Sequence, residues 1–258
     1  MFVFSFLIIP LIILIFYLSL KGLGFFFFKI LFYDKNSATH LIYPVLAFPL
    51  LFFISTTIHL FFRLDPLINL FILVFGFFIY LKNFKIEINL KLIILILIFS
   101  IQFYGHNVNE DYGYYHLPYI INFISEKLIF GLYHLSMVQG YNSAWLNTGS
   151  TFYLPFFFDK TVHFTNTLLI ISVSLFYLNF IFKEKNISKF PISTIYGLIV
   201  ITFFITKNSR LNSFGVDVPG HIYASIVLFL FINFCENKDY YFRKTCFYLI
   251  TLFSAFCI

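Results

Sequence analysis

His106-Asn-Val-Asn-Glu-Asp-Tyr-Gly-Tyr-Tyr-His116 gathers chemistry into eleven positions of an otherwise greasy chain. Glu110 and Asp111 stand side by side, and neighbouring carboxylates repel each other's charge. That raises one pKa and makes a usable general base. Asp111 also sits where a helix would begin, and an acid there suits an N-cap. Tyr115 and His116 follow within one turn and offer a hydroxyl and an imidazole to a substrate. Two histidines with two acids carry metal-ligating atoms, but their spacing matches no strong metal signature. A divalent cation on the acidic pair is compatible with the sequence and not required by it.

A second polar cluster runs from Lys207 to His221, Lys-Asn-Ser-Arg-Leu-Asn-Ser-Phe-Gly-Val-Asp-Val-Pro-Gly-His. Arg210 suits a phosphate or pyrophosphate, because its planar fork donates two parallel hydrogen bonds. Lys207 and Arg210 equally suit snorkelling at a helix end. Asp217, ahead of Pro219 and Gly220, reads as a substrate contact or as ordinary helix-start chemistry. His221, alone near the start of a span, reads as a packed polar residue. Between the clusters, Gly140 to Ser150 (Gly-Tyr-Asn-Ser-Ala-Trp-Leu-Asn-Thr-Gly-Ser) supplies amides, hydroxyls and the single Trp. Such a set binds sugar faces, and it is also what a turn-rich loop contains.

The elements that must carry these residues are apolar. Of the 258 residues 60% are hydrophobic and 11% charged, where a soluble domain has about 25% charged. Too few charges remain to cover a water-facing surface, so the side chains face lipid. The net charge of +6 and pI near 9.1 do not point to nucleic acid, because the basic residues are scattered singly between apolar runs. Cys235, Cys246 and Cys257 fall at no metal-ligand spacing and read as core- or lipid-facing thiols. The first twenty residues have no basic leader and no small-residue cleavage site, so they read as a retained span.

With about 20 residues needed to cross the bilayer, spans are expected near 2–20, 41–62, 66–81, 92–104, 167–182, 191–206, 219–235 and 245–258. The expected fold is therefore all-α, a single polytopic domain over 1–258 with about eight transmembrane helices. Arg63-Leu-Asp-Pro66 predicts a hairpin turn, since Pro favours the first helical position. Residues 105–166 form the one large connection. Within it Leu117, Ile120, Ile121, Ile124 and Leu128 recur at helical spacing, with Tyr115, Tyr119, Asn122 and Glu126 opposite. This predicts an amphipathic surface helix, with Pro118 in its first turn. Ser150 to Lys160 is again aromatic and reads as interfacial.

Alternate connections divide the basic residues unevenly. Twelve fall on one side (Lys21, Lys29, Lys35, Lys82, Lys85, Lys91, Lys183, Lys185, Lys189, Lys238, Arg243, Lys244) and five on the other (Arg63, Lys127, Lys160, Lys207, Arg210). The positive-inside rule puts the twelve in the cytoplasm. The expectation is an inner (cytoplasmic) membrane protein with its N-terminus and both polar clusters outside. The sequon at Asn186 then faces the cytoplasm and carries no meaning. Thr245 to Ile258 is short for a span and ends without polar residues, so a C-terminally truncated piece of a longer protein is expected.

The order of features resembles a known superfamily. Apolar spans lead to Asn109-Glu-Asp-Tyr-Gly-Tyr-Tyr-His-Leu-Pro-Tyr-Ile120 and a surface helix. The stretch Gly131 to Pro155, further spans and Ser209 to His221 follow. Over about residues 100–225 this is similar to the multi-spanning bacterial membrane proteins of the GT-C glycosyltransferase superfamily. The acidic pair is the most specific element of the match. The resemblance implies a polyprenyl-phosphate sugar as donor and inverting transfer to an acceptor, with an acid of the outer loop as base. Glu110 and Asp111 map to that acid, and Asp111 is favoured as the base that takes the acceptor proton. Arg210 and Lys207 would stabilise the departing lipid phosphate, with His116, Tyr115 and Asp217 lining the substrate.

Two rivals stand beside it. A transporter or flippase for lipid-linked sugars would place polar groups mid-span, where Thr56, Thr57 and His59 are the main examples. A non-catalytic scaffold would leave the outer clusters apart. Reporter fusions test the orientation: a cytoplasm-active reporter inserted at 33–39 is expected to be active, and one inserted at 143 inactive. The reverse pattern overturns the assignment.

Overall fold

The computed structural model describes residues 2–32, 40–86, 89–100, 111–129, 131, 134, 143–157, 161–183, 191–207 and 217–255. They are helical throughout, without a strand among them. The main elements are α1 (Phe2–Leu31), α2 (Tyr43–Phe61), α3 (Pro66–Asn83), α4 (Leu90–Ser100), a π-helical turn (Tyr112–His116), α5 (Leu117–Ser125) and α6 (Ala144–Ser150). A short 3-10 turn (Thr161–His163) then opens α7 (Phe164–Lys183), followed by α8 (Ile192–Thr206), α9 (Asp217–Glu236) and α10 (Tyr240–Ser254).

Among the described residues, five stretches are long and apolar enough to cross a bilayer: Ile8–Leu31, Tyr43–Phe61, Pro66–Asn83, Thr161–Phe182 and Val218–Glu236. The other three expected spans are shorter as described, with 11 residues in α4 and 15 each in α8 and α10. Their boundaries have visible causes. Asn89 accepts a bond from Lys91 N at 3.0 Å at the start of α4. Pro191 opens α8. Asp239 caps α10 by accepting from Tyr241 N at 3.0 Å.

The first helix outruns its expected end at residue 20 and continues to Leu31. The reason lies in Gly22 and Gly24. A Cβ on Gly22 would fall 2.0 Å from the Gly76 carbonyl oxygen of α3, and one on Gly24 would fall 1.6 Å from the Tyr43 oxygen of α2. Small residues let helix backbones touch where lipid gives no hydrophobic drive to association. The helix therefore passes through this crossing and buries Phe27 and Phe28 beyond it.

Contacts between successive helices fix two ends of the bundle. At one end Asp65 accepts from Leu67 N at 2.9 Å and pairs with Arg63 at 3.4 Å, making the expected turn between α2 and α3. At the other end the Lys21 ammonium lies 4.9 Å from the Phe84 ring, just past α3. Lys91 Nζ, at the start of α4, donates to Asn179 Oδ1 near the end of α7 at 3.1 Å. Glu236, closing α9, accepts from Ile192 N at 2.7 Å and Ser193 Oγ at 2.6 Å, opening α8. The ends of α3, α7 and α9 thus meet the starts of α4, α8 and α10. Lys21, Lys29, Lys82, Lys85, Lys91, Lys238, Arg243 and Lys244 collect at this basic end. Asp111, Lys207 and the first turn of α9 belong to the opposite end.

Replacing Gly22 with Val forces a side chain into the Gly76 backbone. Thermal unfolding in detergent micelles, followed by circular dichroism, is expected to show a loss of about 1–3 kcal/mol. An unchanged midpoint would contradict this crossing.

Candidate functional site

The end opposite the basic one is built around a polar seam between α2, α5 and α6. Asn147, on α6, carries an amide that both donates and accepts through one planar group. Its Oδ1 accepts from the Tyr119 hydroxyl of α5 at 2.9 Å, and its Nδ2 donates to Thr56 Oγ1 of α2 at 3.1 Å. The same two helices are tied a second way. His59 of α2 stacks on Phe123 of α5 with ring centroids 3.5 Å apart, and Phe123 stacks on Tyr119 at 5.7 Å. Backbone bonds close the seam: Leu64 N donates to Phe123 O at 3.2 Å, and Leu128 N to His59 O at 3.1 Å. His59 Nδ1 is buried and meets no hydrogen-bond partner among the described residues.

The seam has a physical origin in α6. From Trp145 to Ser150 every residue of this helix is buried. Buried polar groups must be hydrogen-bonded, and here they are. Ser143 caps the helix by accepting from Leu146 N at 3.3 Å. Thr148 and Ser150 bond carbonyls within the segment. Asn69 of α3 donates to Ser150 O at 2.8 Å, and Trp145 Nε1 donates to Asn166 Oδ1 of α7 at 2.8 Å. Trp145 is 7% exposed and stacks on Phe48 at 5.5 Å. The described part of the Gly140 to Ser150 stretch, from Ser143 on, is thus an enclosed helix and not the turn-rich loop its composition suggests, with the Trp145 ring packed on Phe48.

The amphipathic reading of 117–128 also changes. The helix ends at Ser125, with Glu126 extended. Its inward residues are Ile120, Phe123 and Ile124, while Ile121 is exposed and Leu128 lies beyond the helix. The preceding turn is π-helical, with Leu117 N bonded to Tyr112 O. One extra residue in that turn rotates everything after it relative to an uninterrupted α-pattern.

The predicted site residues are distributed as follows. Asp111 is exposed at the head of the π-turn and makes no capping hydrogen bond with its side chain, which overturns the N-cap alternative. Next to it, the Tyr112 ring lies 4.8 Å from His163 at the start of α7. Tyr115 is half-buried against His116, with ring centroids 4.2 Å apart, and His116 is buried. Lys207 is exposed at the C-terminus of α8. Asp217 opens α9, and His221, one turn later, is exposed. Glu110, His106 and Arg210 lie outside the described residues. The structure therefore puts Asp111, Tyr115, His116, Lys207 and Asp217 at one end of the bundle.

Among the described residues no three His, Cys, Asp or Glu side chains converge as a metal site. The sequence puts Tyr119 on a polar helix face and Asn147 in a turn-rich stretch, and assigns neither of them, nor His163, to a site. The available signal was Thr56, a hydroxyl inside an apolar span that needs a polar partner. Neither a family model, nor a curated protein, nor a solved structure matches the chain.

Burial pushes the Tyr119 hydroxyl up to about 12 from its ordinary 10.0. Below pH 10 the phenol is neutral in both folded and unfolded chains. Between pH 10 and 12 the unfolded phenol ionises first, so the folded state loses stability there. The stability difference between wild type and Tyr119→Phe, about 1 kcal/mol near neutrality, is expected to shrink across that window in unfolding titrations. Asn147→Leu strands both its partners and is expected to cost more, about 2–4 kcal/mol. Equal costs for the two variants would contradict the bridging role.

Proposed function

We propose that this chain is a polytopic inner-membrane protein of about eight spans that transfers a sugar from a polyprenyl-phosphate donor to an acceptor hydroxyl. The reaction takes place at the outer face, which is the end bearing Asp111, and the N-terminus lies on that side. The observation that carries the reading is the position of Asp111. It is an exposed carboxylate on a π-turn, held by a rigid polar seam, at the bundle end that also bears Lys207. π-Turns recur at functional sites because they re-aim side chains. A carboxylate at a bilayer edge can meet a water-borne acceptor while apolar helices hold the lipid tail.

In this mechanism Asp111 takes the proton from the acceptor hydroxyl as that oxygen attacks the anomeric carbon. Glu110, next in the chain, supplies a second carboxylate to the acceptor side of the reaction. Lys207 and Arg210 offset the charge that develops on the departing lipid phosphate. Tyr115 and Asp217 line the sugar, while His116, buried against the Tyr115 ring, does not reach it and backs that ring instead. The GT-C resemblance supports the donor class. A divalent cation held by the acidic pair would supply Lewis-acid assistance to the departing phosphate, and it would lower the basicity of the carboxylate that holds it.

A second reading, a carrier for lipid-linked sugars, draws on α6. A short polar helix enclosed among apolar ones is the kind of element that transporters use at binding sites. Its hydroxyls and amides are spent on neighbouring protein groups, which favours a structural role and ranks this reading second.

Membranes carrying the protein, incubated with radiolabelled polyprenyl-phosphate sugars, are expected to label an acceptor. Asp111→Asn should lower the rate by about a hundredfold to ten-thousandfold. Lys207→Ala should lower it by a smaller factor. Unchanged transfer in Asp111→Asn removes the assigned base. Label that crosses the bilayer without being transferred favours the carrier.

A further inference from the structure

A second feature lies at the opposite, basic end, and its reading is independent of the transferase proposal. A crevice of about 670 Å³, counted with its open mouth, lies between the ends of α7 and α9 and the first half of α10. Its walls are apolar: Phe176 and Phe180, Phe229 and Leu230, and Cys246 and Leu249. The few polar groups in the walls are already engaged. Asn233 Nδ2 donates to Phe229 O at 2.9 Å, and Thr245 Oγ1 to Tyr241 O at 3.0 Å. Such walls take a hydrocarbon chain and offer little to a polar solute.

The rim differs from the walls. Lys91 Nζ reaches Asn179 Oδ1, a wall residue, at 3.1 Å and lies 4.3 Å from the Phe182 ring. The Arg243 guanidinium lies 4.4 Å from the Phe234 ring, beside the wall residues Asn233 and Phe242. Neither cation meets a carboxylate among the described residues; Lys91 meets an amide oxygen and an aromatic face, and Arg243 an aromatic face. The two nearby acids are occupied elsewhere, Glu236 by Ile192 N and Ser193, and Asp239 by Tyr241 N. Lys91, bonded to the wall residue Asn179, and Arg243, next in sequence to the wall residue Phe242, put positive charge beside an apolar slot, which suits an anionic head carried on an apolar tail.

We propose that this crevice binds an anionic phospholipid, with an acyl chain between α7, α9 and α10 and the phosphate between Lys91 and Arg243. The test is native mass spectrometry of the full chain in detergent, titrated with dioleoyl phosphatidylglycerol or dioleoyl phosphatidylcholine. Wild type is expected to retain phosphatidylglycerol in preference. Arg243→Gln should weaken that retention about fivefold and Lys91→Gln/Arg243→Gln about thirtyfold, from the usual contribution of one basic residue at a membrane surface. Leu249→Trp should fill the slot and weaken both lipids. Should that variant fail to fold, Arg243→Gln decides alone, because its side chain is exposed. Equal retention of the two lipids by wild type, or undiminished phosphatidylglycerol binding in the charge variants, overturns the proposal. So does full displacement by inorganic phosphate, which would reveal an ion site without a lipid.

Discussion

The amide of Asn147 is the point on which the upper half of the bundle depends. It satisfies Tyr119 and Thr56 at once, and no apolar side chain could do so. In a lipid-facing protein an unpaired polar group has no water to fall back on. The pairing therefore holds α6 inside the bundle and fixes α5 across the end of α2. The π-turn continues directly into α5, so the place of Asp111 follows from this one bridge. The His59–Phe123–Tyr119 stack reinforces it with apolar contact on the same helices.

The sequence foretold those parts of the fold whose signal is local. Arg63 to Pro66 made the turn it promised, because the Asp65 cap and Pro66 act within one turn of each other. Long apolar runs became helices, since hydrocarbon leaves backbone groups no other partner. The α1 boundary was missed because its cause is non-local. Gly22 and Gly24 look like a helix stop until Gly76 and the Tyr43 backbone are known to lie against them. The spacing in α5 named Ile120 and Ile124 and omitted Phe123, whose burial comes from its stack on His59 of α2, a contact that no local pattern shows.

The candidate site was legible as a set of residue types and not as an arrangement. Asp111, His116 and Lys207 stood out because charge and imidazole are scarce in so apolar a chain, and Tyr115 only by its place beside His116. Tyr119 and Asn147 did not stand out, since Tyr is plentiful and Asn in a Ser/Thr/Gly-rich stretch reads as loop. What could have marked 143–154 as interior is its lack of any charged residue. A solvent-exposed connection of that length would ordinarily carry one. The basic end illustrates the opposite case. Lysines that sequence treats as orientation markers also lie against aromatic rings, so one side chain serves topology and packing together.

The enclosure of α6 has a consequence for how the chain is made. Its polar groups are completed on one side by α2, α3 and α5, which all precede it in the chain. They are completed on the other by Asn166 of α7, which follows it. The short helix is therefore bonded from both directions of the chain, and the last of its partners to be synthesised is the acceptor of Trp145 Nε1.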